Sequence, residues 1–412
     1  MKIFLIGIGG AGNKAVISAI QSGIITKQDS LLLNTTLSDI DTEFSDLAIK
    51  FGSTVRGGCG KERPKARNYM LEGLQTDLQQ LDSVISADTE LVVIATSTEG
   101  GTGSGSSLIL SKYIHDVLGK PVQIFAFNGF EEDSRGLKNT VEFFQEVDPE
   151  ISIQCTSNKK FMKDTSNKLT AEKLSNQDFI TRLRVLIGID MIESNQNIDS
   201  TDLFKTSTQI GYTVCNRIDL PKIKNIEQYN KVVKDALDED EALDTVKSVK
   251  RLAVIFNVAE DNRDNLDFYL TKFKDKFGQP FEVYTHVQYD KNEEYVGYIA
   301  SGLDLPLDEV KEVYNRYMEN VDKVNKKRDN FLDEAQELKT YQSDDMFNMN
   351  ESTSKVSKND FFKNAGMNSV NNNKKENFFN ENGRRNEEVK DSNPNDENHR
   401  IKLVDRSGNG QL

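Results

Sequence analysis

Apolar residues in the first half of the chain come in short unbroken blocks: Ile3-Phe4-Leu5-Ile6, Leu31-Leu32-Leu33, Leu91-Val92-Val93-Ile94-Ala95. Blocks of this length, bounded by glycine or polar residues, mark strands buried on both faces. They predict strands near 2–7, 30–34, 91–96, 122–127 and 151–155, with helices between them. Such alternation implies a parallel sheet wrapped by helices, with any ligand at the carboxyl ends of the strands. A helical segment from Phe179 to Ile192 then leads to a second, smaller α+β region. Its predicted strands are Arg251–Val258, Phe281–Tyr289 and Tyr295–Ser301, with an amphipathic helix over Asp264–Phe277.

Asp304 and Pro306 open a long helix. Leu307, Val310, Tyr314, Tyr317, Val321, Val324, Phe331, Ala335 and Leu338 recur at spacings of three and four, interrupted at Arg328. A helix of about 35 residues would be roughly 50 Å long. It either packs along its own body or carries its distal half to a neighbouring subunit.

Two glycine loops follow strands and precede helices. Gly7-Ile8-Gly9-Gly10-Ala11-Gly12 comes before a helix expected from about Asn13 to Ser22. Thr98-Glu99-Gly100-Gly101-Thr102-Gly103-Ser104-Gly105 comes before a helix through Ser107–Ile114. Glycines let backbone N–H groups approach phosphate oxygens, and a helix start adds unpaired donors and partial positive charge. The first loop fits the dinucleotide pattern G-x-G-x-x-G. That pattern also asks for an acidic residue after the second strand, where Asn34-Thr35-Thr36 is neutral, and it gives the second loop no role. The Walker pattern G-x-x-x-x-G-K-[ST] is absent.

The loop at 100–105 resembles the GGGTG[ST]G signature of the tubulin/FtsZ superfamily of GTP-dependent filament proteins in six of seven positions, with Glu99 replacing the first glycine. A carboxylate beside phosphates repels them unless it points away or binds a cation. The resemblance continues. Gly9, Gly10 and Asn13 look like the family's first nucleotide loop and Asn34-Thr35 its second, with Thr36 where FtsZ proteins have Asp. Arg56-Gly57-Gly58-Cys59-Gly60-Lys61 looks like the third, and Phe130-Glu131 with Arg135 matches the ribose-holding F-E-x-x-x-R. Asn158 and Asp178 fall where the family reads guanine, although each could equally be a helix cap or a polar surface residue. Asn197, Asp199 and Asp202 resemble the N-x-D-x-x-D catalytic loop, which in the family enters the nucleotide pocket of the next subunit; a capped helix start at Asp199 is the plainer alternative.

The resemblance implies an α/β fold: a parallel-sheet GTP-binding domain (1–180), a long central helix and catalytic loop (181–204), a smaller α+β second domain (205–303), a long C-terminal helix (304–341) and a disordered tail (342–412). It implies a GTPase whose phosphates are held by Gly58, Gly100, Gly101, Thr102, Gly103 and Ser104, with GTP/GDP and Mg2+ as ligands. Head-to-tail filaments follow, completed at subunit contacts by Asp199, Asp202 and Asn197. The long C-terminal helix resembles that of the plasmid and phage partition proteins called TubZ, which implies DNA segregation. Phage-genome positioning, FtsZ-like division and a non-hydrolysing tubulin-like protein are the alternatives.

Charge and composition narrow the partners. The chain has 412 residues, 36% of them apolar, and a net charge of −14. Residues 342–412 hold 12 acidic residues, 11 basic residues and 16 Asn, so the body carries −13. A body this acidic is not expected to bind nucleic acid directly. The tail cannot bury a core, but Phe361-Phe362-Lys363, Lys374–Phe379 and His399–Val404 suit either a solvated linker or docking motifs for a DNA-bound adaptor protein. Three scattered cysteines (Cys59, Cys155, Cys215) and three histidines give neither a metal set nor a disulfide framework. With no signal peptide and no membrane-length apolar run, a cytoplasmic location is expected.

Overall fold

The computed structural model describes residues 1–53, 57–192, 198–220, 225–239, 249–259, 266–289 and 293–332, with side chains as far as 323. Asn197, Arg56 and the tail at 342–412 lie outside the described residues. Among the described residues the sheet has ten strands: β1 (Ile3–Ile8), β2 (Ser30–Asn34), β3 (Ala48–Lys50), β4 (Leu91–Ser97), β5 (Val122–Asn128), β6 (Ser152–Ser157), β7 (Gly211–Asp219), β8 (Arg251–Asn257), β9 (Glu282–Gln288) and β10 (Tyr295–Leu303). Their spatial order is β3-β2-β1-β4-β5-β6-β7-β10-β8-β9. The first six are parallel; β7 and β8 pair antiparallel with β10, and β8 pairs parallel with β9. The two halves of the sheet meet where Ser152 and Ile153 pair with Gly211 and Tyr212.

Among the described residues ten α-helices accompany the sheet: α1 (Gly9–Gln21), α2 (Arg63–Gln75), α3 (Leu81–Val84), α4 (Thr102–Asp116), α5 (Ser134–Glu146), α6 (Lys168–Ile187), α7 (Ser200–Ser207), α8 (Ile226–Asp238), α9 (Leu266–Phe277) and α10 (Leu307–Leu332). Side chains alternate along β1: Phe4, Ile6 and Ile8 enter the core under α2, α4, α8 and α9, and Ile3 and Leu5 the core under α1, α6 and α7. Burial of both faces is why the strands read as unbroken apolar blocks.

Two boundaries differ from the sequence expectation. The helix after β1 begins at Gly9, not Asn13, because Gly9 turns the chain at once with φ 73°. The central helix is Lys168–Ile187, so Asp178 lies in its middle and not at its start. Asn167 caps it by accepting from the Leu169 and Thr170 amides, and Gly188, at φ 66°, ends it before Ile192. Its first half, Lys168–Gln177, is mostly polar and gives little helical stripe to read. The strand β7 was not legible as such. The C-terminal helix is described over 26 residues and packs on α5, where Val313 and Tyr317 meet Leu137 and Val141.

Candidate functional site

In a sheet of this order the chain moves outward from β1 to β2 and β3, then returns to β4. The crevice between the carboxyl ends of β1 and β4 is the topological switch point. Both glycine loops empty there, and a Cβ added at Gly9 would stand 3.1 Å from the Gly103 nitrogen. The glycines divide into two kinds. Gly12, Gly101, Gly103 and Gly105 are glycines for packing: a Cβ would overlap the Ala95 carbonyl at Gly12 and the Arg63 carbonyl at Gly105. At Gly101 it would lie 2.7 Å from the Glu62 nitrogen, and at Gly103 2.6 Å from Thr96 Oγ1. Gly10 and Gly58 instead have nothing within 4 Å, so they border open space.

The helix starts at this crevice are bare. Neither α1 nor α4 has a side-chain cap, whereas α5, α6, α7 and α8 are capped by Asp133, Asn167, Asp199 and Asn225. The first-turn N–H groups of α4, on Thr102, Gly103 and Ser104, lack helical partners, as first-turn amides do. Thr102 Oγ1 is 3.1 Å from Thr35 Oγ1, tying the loop after β4 to the loop after β2, and the buried Cys59 thiol lies 3.9 Å from the same Thr35 oxygen. Asn34 is buried and its Oδ1 accepts from the Thr35 amide. The Ser104 hydroxyl donates to the Gly100 carbonyl, and the residue is fully buried. Asn13 is buried; its Nδ2 donates to the Leu33 carbonyl at 3.3 Å and its Oδ1 has no partner.

Glu99 points away from the crevice. Its Oε1 accepts from the Glu131 amide at 2.7 Å, and its carboxyl lies against Gly129 and Gly136, where a Cβ at Gly136 would be 3.2 Å from it. Burial raises its pKa above the ordinary value, opposed by the Lys61 charge. Lys61 sits at φ 61° in a loop where Gly57, Gly58 and Gly60 are also left-handed, and its ammonium pairs with Asp133. Burial works against ionised Asp133, but Lys61 and the Gly136 amide outweigh it and hold the carboxyl below its ordinary range.

Beside the crevice, Glu131 at φ 58° turns its carboxylate to Lys159, at 3.1 Å, and to Arg316 of α10. Arg135 is half exposed near Glu62, at 3.8 Å. The Asn158 amide donates to the Asn128 carbonyl, joining the ends of β6 and β5. Asp178 Oδ2 accepts from Thr156 Oγ1 and from the buried Arg182, each at 2.8 Å. These residues flank one side of the crevice.

Asp199 and Asp202 are elsewhere. Asp199 is the exposed N-cap of α7, accepting from the Asp202 amide at 2.8 Å. The helix α6 touches α1 near its start, where Lys14 pairs with Glu172, and meets α7 at its end. Twenty residues at 1.5 Å each put those ends about 30 Å apart.

Two features had no sequence signal. Arg63, 4% exposed, donates to the Ser104 carbonyl and pairs with Glu142 and Glu146, fastening the start of α4 to α2 and α5. His115, Asp116 and Glu150 bring ligand atoms within 4.8 Å of one another, but Lys112 stands 3.3 Å from Asp116, so the group is part of an ion-pair network. No described helix is long and apolar enough to cross a membrane.

No family model matches the chain. The FtsZ cell division protein of Aquifex aeolicus is 24% identical over 268 residues, 63% of this chain and 70% of that protein. The chain spans 53% and 56% of the next two relatives, an FtsZ of Helicobacter pylori and the mitochondrial division protein fszB of Dictyostelium discoideum. Among solved structures, a GTPγS-bound protofilament of CetZ2 from Haloferax volcanii superposes with TM-score 0.63 at 18% identity, covering 79% of this chain and all of that one. A GTPγS-form protofilament of TubZ from Bacillus thuringiensis serovar israelensis gives 0.63 at 15% identity, covering 80% and 94%. The chain therefore has the tubulin/FtsZ fold and is similar to FtsZ, CetZ and TubZ proteins.

Proposed function

We propose that this chain is a GTP-dependent filament protein whose active site is completed by an adjacent copy. The observation that carries the reading is the separation of the bare helix starts of α1 and α4 from the carboxylates at the start of α7 by the length of α6. One molecule holds both halves of a hydrolytic site and cannot join them. Head-to-tail stacking would. The related structures are described as GTPγS protofilaments, which supports the same arrangement here.

In this reading the triphosphate lies over Gly9, Gly10 and Gly58, on the amides of Gly100, Gly101, Thr102, Gly103 and Ser104. Asn13 and Asn34 shape the floor. Glu131 and Arg135 take the ribose, and Asn158 and Asp178 the guanine. A Mg2+ on the phosphates, beside the Thr35 and Thr102 hydroxyls, would offset their charge. Asp199 and Asp202 of the next copy, with Asn197, position the attacking water. Positioning and fixed electrostatics supply most of the rate, and proton removal by a carboxylate about 10²–10⁴-fold. DNA segregation is the preferred role, with residues 342–412 recruiting a DNA-bound adaptor. The motivating features are the long α10 and the aromatic-basic clusters beyond it, and a pull-down in which removing 342–412 leaves adaptor capture intact would refute it.

Complementation tests the shared site. Asp202→Ala keeps the pocket and loses the donor. Gly10→Leu keeps the donor and fills the open space over the pocket. Each alone should release little phosphate from GTP, and an equimolar mixture should recover a substantial share of parental turnover. A mixture as inactive as its parts, or an Asp202→Ala protein as active as the parent, refutes the proposal.

A further inference from the structure

Among the described residues, the long helix α10 meets the candidate site at Glu131. Arg316 pairs with the carboxylate of Glu131, and the same oxygen, Oε2, also meets Lys159 at 3.1 Å. Glu131 is only 11% exposed, and no described residue bonds its other oxygen, Oε1. The backbone of Glu131 is held as firmly. Its φ of 58° is one that non-glycine residues seldom adopt, and its amide is fixed to Glu99 Oε1 at 2.7 Å. Arg316 is itself placed by packing one turn away, where Val313 and Tyr317 sit on Leu137 and Val141 of α5.

From this geometry we infer that Arg316 is a positioning residue for the sugar subsite: with Lys159 it holds Oε2 of Glu131, so that Oε1 faces the ribose hydroxyls. The inference rests on the GTP reading above. Two cations on one oxygen orient a carboxylate far better than one, and a carboxylate held in advance loses less freedom when it accepts a hydroxyl. Binding is reciprocal. If a seated α10 strengthens the sugar contact, a bound nucleotide strengthens the seating of α10 to the same degree.

The experiment compares GTP with 2′,3′-dideoxy-GTP, which lacks the hydroxyls. Arg316→Ala should weaken GTP binding about tenfold, the scale of one charge-assisted hydrogen bond, and leave the dideoxy nucleotide unchanged. Arg316→Lys should keep most of the affinity. In a Glu131→Gln background, Arg316→Ala should have little further effect, because the pair acts as a unit. Equal weakening for both nucleotides, or full loss again in the Glu131→Gln background, makes Arg316 merely structural and overturns the inference. A parent protein that binds neither nucleotide instead overturns the GTP reading itself.

Discussion

Helix starts at the two ends of α6 are built in opposite ways. At the crevice between β1 and β4, α1 begins at Gly9 and α4 follows Gly101, neither with a side-chain cap, and Gly10 and Gly58 border open space. At the other end, α7 begins at Asp199, whose carboxylate occupies its own first-turn amide, with Asp202 close behind. The partial positive charge of a helix start is left for a ligand in one place and neutralised internally in the other. The first end is suited to receive a polyanion, and the second would repel it. In the proposed reading, the second presents its acid groups to another copy. Local chemistry thus accords with the proposed roles of receiver and donor before any assembly is considered.

Removing the donor should have the largest effect. Asp202→Ala should lower phosphate release about 10²-fold or more while nucleotide affinity stays at the parental value, measured by turnover and by fluorescent-nucleotide titration. An equal loss of affinity would mean that Asp202 belongs to the receiver after all. Next in size is the contrast among glycines. Gly12→Ala forces a methyl into the Ala95 carbonyl and should cost about 1–3 kcal/mol of unfolding free energy. Gly10→Ala, facing open space, should leave the thermal midpoint nearly unchanged. If both variants are equally destabilised, the distinction between packing glycines and ligand-facing glycines fails.

The smallest effect concerns Glu99. Burial raises its folded pKa above the unfolded value, so its contribution to stability is present below the ordinary carboxylate range and is lost as pH rises through the raised value. Glu99→Gln keeps an acceptor for the Glu131 amide and removes the charge. Denaturation followed from pH 4 to 8 should show no gain for the variant at the acid end and a small gain at the neutral end. A variant that loses stability at neutral pH would show that ionised Glu99 is favourable through Lys61.

The strands around the crevice were legible because burial on both faces leaves unbroken apolar blocks, as at Leu91–Ala95. The glycine loops were legible as loops, but their division into packing and open positions was not, since it depends on neighbours such as Ala95 and Arg63 that are distant in sequence. The start of α6 is not legible because Asn167 caps a largely polar first half. Arg63 and Arg316 gave no local signal at all: one is a buried cation among residues some 40 to 80 positions away, and the other arrives from a helix 185 positions after Glu131.

The carboxyl of Glu99 fills volume that a methyl at residue 129 would need, and a methyl at 136 would only press on it. The three positions are therefore linked in the order in which they can change. While Glu99 is present, alanine at 129 collides with it. If residue 99 first becomes glycine, alanine at 129 loses its obstacle, and a later return to glutamate would then be closed off. Among close homologues, a glutamate at 99 should occur with glycine at 129, and departures at 129 only where residue 99 has shrunk, with 136 less tightly bound to the same rule.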